Sequence, residues 1–308
     1  MVTDCEIAVA GGGPAGLTAA LFAARHGRST ILLDPVGVGG AILNTERVED
    51  FPGFPAGVPG FELGPRIQEQ VADAGAAFEM EEVRRIEPRG DDWAVVTDSG
   101  EIVAGAVIVA TGSRPCKLGV PREDEFEGKG LSHCAGCDGP LYRGKVVAMV
   151  GGGDSALLEA LELTHHDVQV VLIDAAENLG GQETYGRRVR DSAQVEIRHH
   201  TVVEEILGDA RVDGIRLRDL ATGESSTVLA AGIFVHVGRL PNTACLEGLV
   251  ALDEGGRVPT DIWMRTQLPG LLAAGDVRSG AAGQAISAAG DGATAAVSAH
   301  RYLAVRAQ

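Results

Sequence analysis

The stretch Ile7-Ala8-Val9-Ala10-Gly11-Gly12-Gly13-Pro14-Ala15-Gly16-Leu17 decides the fold class. A short apolar run of strand type enters a glycine turn, and the residues from about Leu17 to His26 are patterned for a helix. A second apolar run, Thr30-Ile31-Leu32-Leu33, ends at Asp34. Strand, glycine turn, helix, strand and acid, in that order, spell a dinucleotide-binding βαβ unit. Gly11 allows the tight turn, Gly13 lets the backbone approach a pyrophosphate, and Gly16 lets the helix pack on the strand. With Pro14 and Ala15 they form the candidate phosphate cradle, facing the free N–H groups and positive dipole end of the helix. Asp34 is placed to accept from a ribose hydroxyl.

The same grammar returns later in the chain. Val146-Val147-Ala148-Met149-Val150 precedes Gly151-Gly152-Gly153-Asp154-Ser155-Ala156; a helix is expected from about Leu157 to Thr164, and a strand over Val168–Ile173 ends at Asp174. First glycine to acid spans 23 residues in both copies, 11 to 34 and 151 to 174. One such turn is a weak signal; two with strand, helix and acid in register are a strong one. The second site, with candidates Gly151, Gly153, Asp154, Ser155, Ala156 and Asp174, is either used or built and left idle.

A third element, Leu271-Leu272-Ala273-Ala274-Gly275-Asp276, reads as a buried strand ending in Gly-Asp. In a flavin site an aspartate there holds a ribityl hydroxyl; by itself the motif also suits an ordinary strand end. The strand Val107-Ile108-Val109-Ala110 with Thr111-Gly112-Ser113-Arg114-Pro115 reads as one crossing between domains and Val235-His236-Val237-Gly238-Arg239-Leu240-Pro241-Asn242 as the second, with proline and glycine that suit a hinge. The expected fold is α/β: two Rossmann-like three-layer nucleotide-binding domains, the second (115–243) inserted in the first (1–114 with 244–308).

Composition narrows the function. The 308 residues carry a formal charge of −17, which argues against nucleic acid and against an anionic membrane surface as partners. No apolar run reaches the 18 residues of a spanning helix, and the acidic start of the chain does not resemble a signal peptide, so a cytosolic location is expected. Of five cysteines, Cys5, Cys116 and Cys245 are isolated and read as small hydrophobes. The other two form Ser132-His133-Cys134-Ala135-Gly136-Cys137-Asp138-Gly139, just ahead of the second nucleotide unit. Two intervening residues suit a small, exchangeable disulfide ring. Zinc would need a second pair, and the adjacent His165/His166 or His199/His200 point their rings to different faces, so no metal site is expected. A redox pair beside a flavin domain is the sharper reading. Asp138 can move protons to and from the thiols, and is equally at home as the first residue of an Asp-Gly turn.

Taken in order, these stretches resemble the low-molecular-weight, bacterial-type thioredoxin reductase family over nearly the whole chain. The resemblance is carried by Gly11 to Ala20, Asn44-Thr45 with Glu49-Asp50-Phe51-Pro52-Gly53-Phe54-Pro55, Ala110 to Ser113, the Cys134/Cys137 pair with Asp138, Gly151 to Ala156, Gly238 to Thr243, Gly275-Asp276 and Ala288-Ala289-Gly290-Asp291-Gly292. It implies FAD, further cofactor contacts at Asn44, Thr111, Gly112, Gln284 and Ala285, a homodimer, and a thioredoxin-like protein or small disulfide as substrate. It also implies a domain rotation that presents the dithiol alternately to flavin and substrate, with Cys137 nearest the flavin, Cys134 attacking the partner disulfide and Asp138 as acid/base.

The chain departs from that family in three places. NADPH-using members carry His-Arg-Arg and a further Arg after the second strand, where this chain has Ile173-Asp174-Ala175-Ala176-Glu177-Asn178-Leu179-Gly180. A charge pair near 4 Å is worth about 4 kcal/mol at an effective dielectric of 20, so reversing its sign disfavours a 2′-phosphate by more than tenfold even after solvent screening. NADH is expected in place of NADPH. Gly283-Gln284 stands for the family's Arg-Gln, and Gly39-Gly40-Ala41-Ile42 for Gly-Gly-Gln-Leu. These leave a nicotinamide-independent member as the alternative, either a ferredoxin-linked reductase or an oxygen-dependent dithiol oxidase; a flavin redox sensor is the third reading.

Overall fold

The computed structural model describes residues 3–306; Met1, Val2, Ala307 and Gln308, and with them part of the acidic N-terminal start, lie outside the described residues. The chain divides into two units, Met1–Arg114 with Leu240–Gln308, and Pro115–Arg239. The second crossing thus lies ahead of the 243/244 position marked in the sequence. The reason is local: Asn242 is tied into the first unit. Its amide donates to the Gly112 carbonyl at 3.0 Å and its side chain to the Thr111 carbonyl at 3.0 Å, while the Thr111 hydroxyl donates back to the Asn242 carbonyl at 2.6 Å.

The first unit is built on one seven-stranded sheet. Its parallel part runs Ala77–Glu79, Thr30–Leu33, Thr3–Ala10, Glu101–Val109, Leu271–Ala273. Glu101–Val109 is long enough to serve two neighbours on its far edge. Its first half continues into an antiparallel meander with Asp92–Val96 and Arg85–Arg89, and its second half pairs with Leu271–Ala273. The strands Ile7–Ala10, Ile31–Leu33 and Ala106–Val109 are almost wholly buried, as strands covered on both faces must be. One face carries the helices Pro14–Arg25 and Ala285–Arg306, packed through Leu17, Ala19, Ala20, Ala23, Ala295, Ala296 and Ala299. Alanine on both helices permits a close approach.

The second unit repeats the plan on a five-stranded parallel sheet ordered Val195–Arg198, Gln169–Ile173, Val146–Val150, Ile233–Val235, Leu131–Ser132. A three-stranded antiparallel sheet, Thr201–Leu207, Gly214–Asp219 and Ser225–Leu229, stands in place of the meander. The helix Asp154–His165 buries Ala156, Leu157, Ala160, Leu161 and Leu163 on the sheet. Both glycine-turn helices begin three residues earlier than expected, at Pro14 and Asp154, because the last residues of each glycine motif already form the first helical turn.

Register proves the repetition. Ala10 aligns with Leu33 and Val109, and Val150 aligns with Ile173 and Val235, each at the last strand position before its glycine turn. Gly11 N–H donates to the Leu33 carbonyl at 2.7 Å, and Gly151 N–H to that of Ile173 at 2.9 Å. The fifth strand differs in chain order: it arrives last in the first unit and first in the second.

Candidate functional site

In the first unit the predicted cofactor residues gather at the C-terminal ends of the parallel strands, where ligands bind in open α/β sheets. A Cβ on Gly16 would fall on the Gly11 carbonyl oxygen, whereas one on Gly13 would meet only Gly40 Cα, at 4.0 Å. The turn is therefore tight where helix meets strand and open where a pyrophosphate would approach. Asp34 closes its side of the cradle. One carboxylate oxygen accepts from Gly12 N–H at 2.7 Å and the other from Val36 and Gly37 N–H at 2.9 and 3.0 Å. Gly39 N–H donates to the Gly12 carbonyl at 2.8 Å, folding the loop after Asp34 back over the turn. Asn44 ends the short helix Gly40–Asn44 and is exposed.

On the other side, Asp276 accepts from the Ser113 hydroxyl at 2.9 Å, beside the Thr111–Asn242 ties. Gly275 is held by Asp291, which accepts its N–H at 3.1 Å and receives both Arg278 Nε, at 2.6 Å, and Arg278 Nη2, at 2.9 Å. Gln284 and Ala285 lie at the start of the C-terminal helix; Ala288, one turn further on, packs near Gly275. The donors, acceptors and open face suit a flavin dinucleotide. The sequence reading missed Asp291, Arg278 and Ser113 as site residues, although Asp291 and Ser113 stood inside quoted motifs.

In the second unit Cys134 and Cys137 are joined by a disulfide, Cα to Cα 5.3 Å. Cys134 caps the single helical turn Ala135–Asp138 and is half-buried, and Cys137 lies on that turn and is exposed. Cys137 N–H points at Cys134 Sγ at 3.1 Å, and Asp138 N–H donates to the Cys134 carbonyl at 3.2 Å. Burial, reinforced by the negative charge of Asp138, raises the Tyr142 phenol above its ordinary value. Two residues that no motif announced surround the turn: Glu159 accepts from Ala135 N–H at 2.8 Å, and His236 Nε2 meets the same oxygen at 2.9 Å. Among the described residues no three His, Cys, Asp or Glu side chains cluster as a metal site.

The second glycine turn mirrors the first. Gly180 and Gly181 N–H donate to the Gly152 carbonyl at 2.9 and 3.0 Å, as Gly39 does to Gly12. A Cβ on Gly153 would meet nothing within 4 Å. Asp154 accepts from Gln182 N–H at 2.6 Å, Ser155 is exposed and Ala156 is buried. Asp174 differs from Asp34. One oxygen accepts from Ala176 N–H at 3.2 Å, while Oδ2 is buried without a hydrogen-bond partner. Of the arginines that follow, on the helix Glu183–Asp191, Arg190 pairs with Glu183 and Arg188 lies over the Tyr185 ring.

Three comparisons bear on this arrangement. The family pattern described as pyridine nucleotide-disulphide oxidoreductase matches residues 5–292. The chain is 35% identical over 303 residues to a thioredoxin reductase of Treponema pallidum (strain Nichols), covering 98% of each chain. It is 38% identical over 300 residues to the thioredoxin reductase of Mycolicibacterium smegmatis, covering 97% of this chain and 96% of that one. The crystal structure of Lactococcus lactis thioredoxin reductase in its FR conformation superposes with a TM-score of 0.95 at 35% identity, over 98% of this chain and 99% of that one. With two nucleotide-type units and a Cys134–Cys137 disulfide, the chain belongs to the pyridine nucleotide-disulphide oxidoreductase family, on its bacterial thioredoxin reductase branch, and is a flavin-dependent disulfide reductase.

Proposed function

We propose that this enzyme holds FAD on the first unit, draws electrons from NADH in preference to NADPH, and passes them through Cys134 and Cys137 to the disulfide of a thioredoxin-like protein. A small-molecule disulfide is the other substrate of the same chemistry, and a homodimer is the proposed assembly. Gly11, Gly13, Pro14, Ala15, Gly16, Asp34, Asn44, Thr111, Gly112, Gly275, Asp276, Gln284 and Ala285 would hold the flavin, which when bound supplies the electron relay between donor and disulfide. Opening the Cys134–Cys137 bond takes up two electrons and two protons. Asp138, on the same turn, is the proposed proton carrier, and Cys134 the thiol that attacks the partner disulfide.

The observation that carries the donor preference is Asp174. Its carboxylate stands at the end of the second strand, where it repels a 2′-phosphate and is the acid that a ribose diol favours. Ala175, Ala176 and Glu177 follow it, so the loop supplies no cation to a phosphate.

Anaerobic stopped-flow reduction of the FAD-loaded protein, followed at the flavin band, tests this. NADH should reduce it at least about tenfold faster than NADPH at equal concentration. Faster reduction by NADPH would refute the preference and turn attention to Arg187, Arg188 and Arg190. Reduction by neither, but by a reduced ferredoxin, would replace the donor reading with the nicotinamide-independent one.

A further inference from the structure

The turn that carries the dithiol and the turn that carries Asp276 occupy the same place in their respective units. Ala273 is beside Val109, which is beside Ala10. Ser132 is beside Phe234, and Val235 beside Val150. Since Ala10 and Val150 each end the strand before a glycine turn, His133 corresponds to Ala273 and Ala135 to Gly275. Each of these two N–H groups ends on a carboxylate from a helix: Gly275 on Asp291 at 3.1 Å, Ala135 on Glu159 at 2.8 Å. Each carboxylate is braced by a basic side chain, Arg278 at 2.6 Å in one unit and His236 at 2.9 Å in the other. Both pairs are sheltered, with side-chain exposures of 18% and 11% for Arg278 and Asp291 and of 10% and 16% for His236 and Glu159.

We infer that Glu159 and His236 are positioning residues for the dithiol: Glu159 clamps the Ala135 N–H so that the turn keeps its shape when the disulfide opens, and His236 holds the Glu159 carboxylate in place. The inference rests on the reading that Cys134 and Cys137 turn over. In the oxidised state the S–S bond itself closes the turn. Once it opens, a single helical turn lacks the cooperativity to hold itself. The ties inside the segment, Asp138 N–H to the Cys134 carbonyl and the Ser132 hydroxyl to the Cys134 backbone, are local to it. His133 secures the strand end, its Nδ1 at 3.0 Å from the Val235 carbonyl. Glu159 secures the turn from another helix. An ionised carboxylate only accepts, so His236 bears the hydrogen on Nε2.

The test uses full-length, FAD-loaded protein, photochemically reduced without oxygen and mixed with the disulfide DTNB while flavin reoxidation is followed. This half-reaction needs no nicotinamide, so it is independent of the donor question. Glu159→Ala should lower the limiting rate about tenfold while changing the half-saturating DTNB concentration less than about twofold, as misplacement of a reacting group does. Glu159→Gln keeps an oxygen acceptor for Ala135 and should recover to within about threefold of the parent. His236→Gln, which can still donate to Glu159, should outperform His236→Ala. A parental rate for Glu159→Ala, or equal rates for the Ala and Gln variants of Glu159, would overturn the inference. Cys137→Ser is the control: if it reoxidises at the parental rate, the dithiol itself is off the path, and it is that underlying reading which fails.

Discussion

Cys245 shows how far a buried side chain can be driven by its surroundings. It is packed among Leu246, Val258 and Val277, and burial pushes its thiol from 9.0 to about 11. The unfolded chain ionises first as pH rises, so the stability contributed by the neutral thiol is intact below pH 9 and is lost between 9 and 11. Two units correspond to roughly 2–3 kcal/mol. Urea unfolding at pH 8 and pH 11 should show that extra loss in the parent and not in Cys245→Val; identical pH dependence in both would disprove the assignment. The thiols at 134 and 137 were legible because chemistry demands their spacing, and Asp34 and Asp174 because each ends a strand at a fixed distance from its glycines. Glu159 and His236 were not. Their meaning lies in a chain of contacts, Ala135 to Glu159 and Glu159 to His236, that depends on a helix, a strand end and a turn converging; His236 stood in the second crossing stretch with no chemistry attached to it. The same holds for Arg278, visible only through Asp291.

At the scale of elements, the crossing of helices Pro14–Arg25 and Ala285–Arg306 is set by glycine. A Cβ on Gly292 would fall on the Ala15 carbonyl oxygen, backbone that cannot move without shifting the phosphate cradle. Gly290, two residues earlier on the same helix, is exposed and has nothing within 4 Å. Gly292→Ala should therefore cost about 3 kcal/mol and weaken flavin retention, whereas Gly290→Ala should gain roughly 0.5–1 kcal/mol from helix propensity alone. Thermal melts and flavin content of the two variants check this; equal effects would show that the crossing is not what Gly292 secures. The glycine motifs and their flanking strands were readable from periodicity. The early starts of both helices, at Pro14 and Asp154, were not, because motif glycines and the first helical turn share residues.

For the molecule as a whole, the sequence marked an inserted second domain by two crossings rich in proline and glycine, and the contact pattern divides the chain between Arg114 and Pro115 and between Arg239 and Leu240. Which strand completes each sheet was not legible: Leu271–Ala273 and Leu131–Ser132 are short runs whose place depends on pairing far along the chain. Residues 115–239 are continuous and contain two complete core clusters, one centred on Ile215 and Ile233, the other on Met149 and Leu172. Expressed alone, this stretch should fold with one cooperative urea transition and retain the Cys134–Cys137 disulfide. Residues 1–114 alone should not fold, lacking Leu271–Ala273 and the helix Ala285–Arg306. A molten 115–239 fragment, lacking near-ultraviolet circular dichroism, would contradict the division.

That discontinuity also sets an order of events during synthesis. Ala15 is made long before the helix that covers it, through Gly292. At ~10 residues per second the interval is roughly half a minute. Throughout it the nascent N-terminal segment exposes an uncovered apolar face, while the dithiol-bearing unit, encoded without interruption, is already free to fold. Flavin capture is thus deferred until the helix Ala285–Arg306 is made, and a transcript truncated between Arg239 and that helix yields a product with a finished redox turn and no finished flavin site.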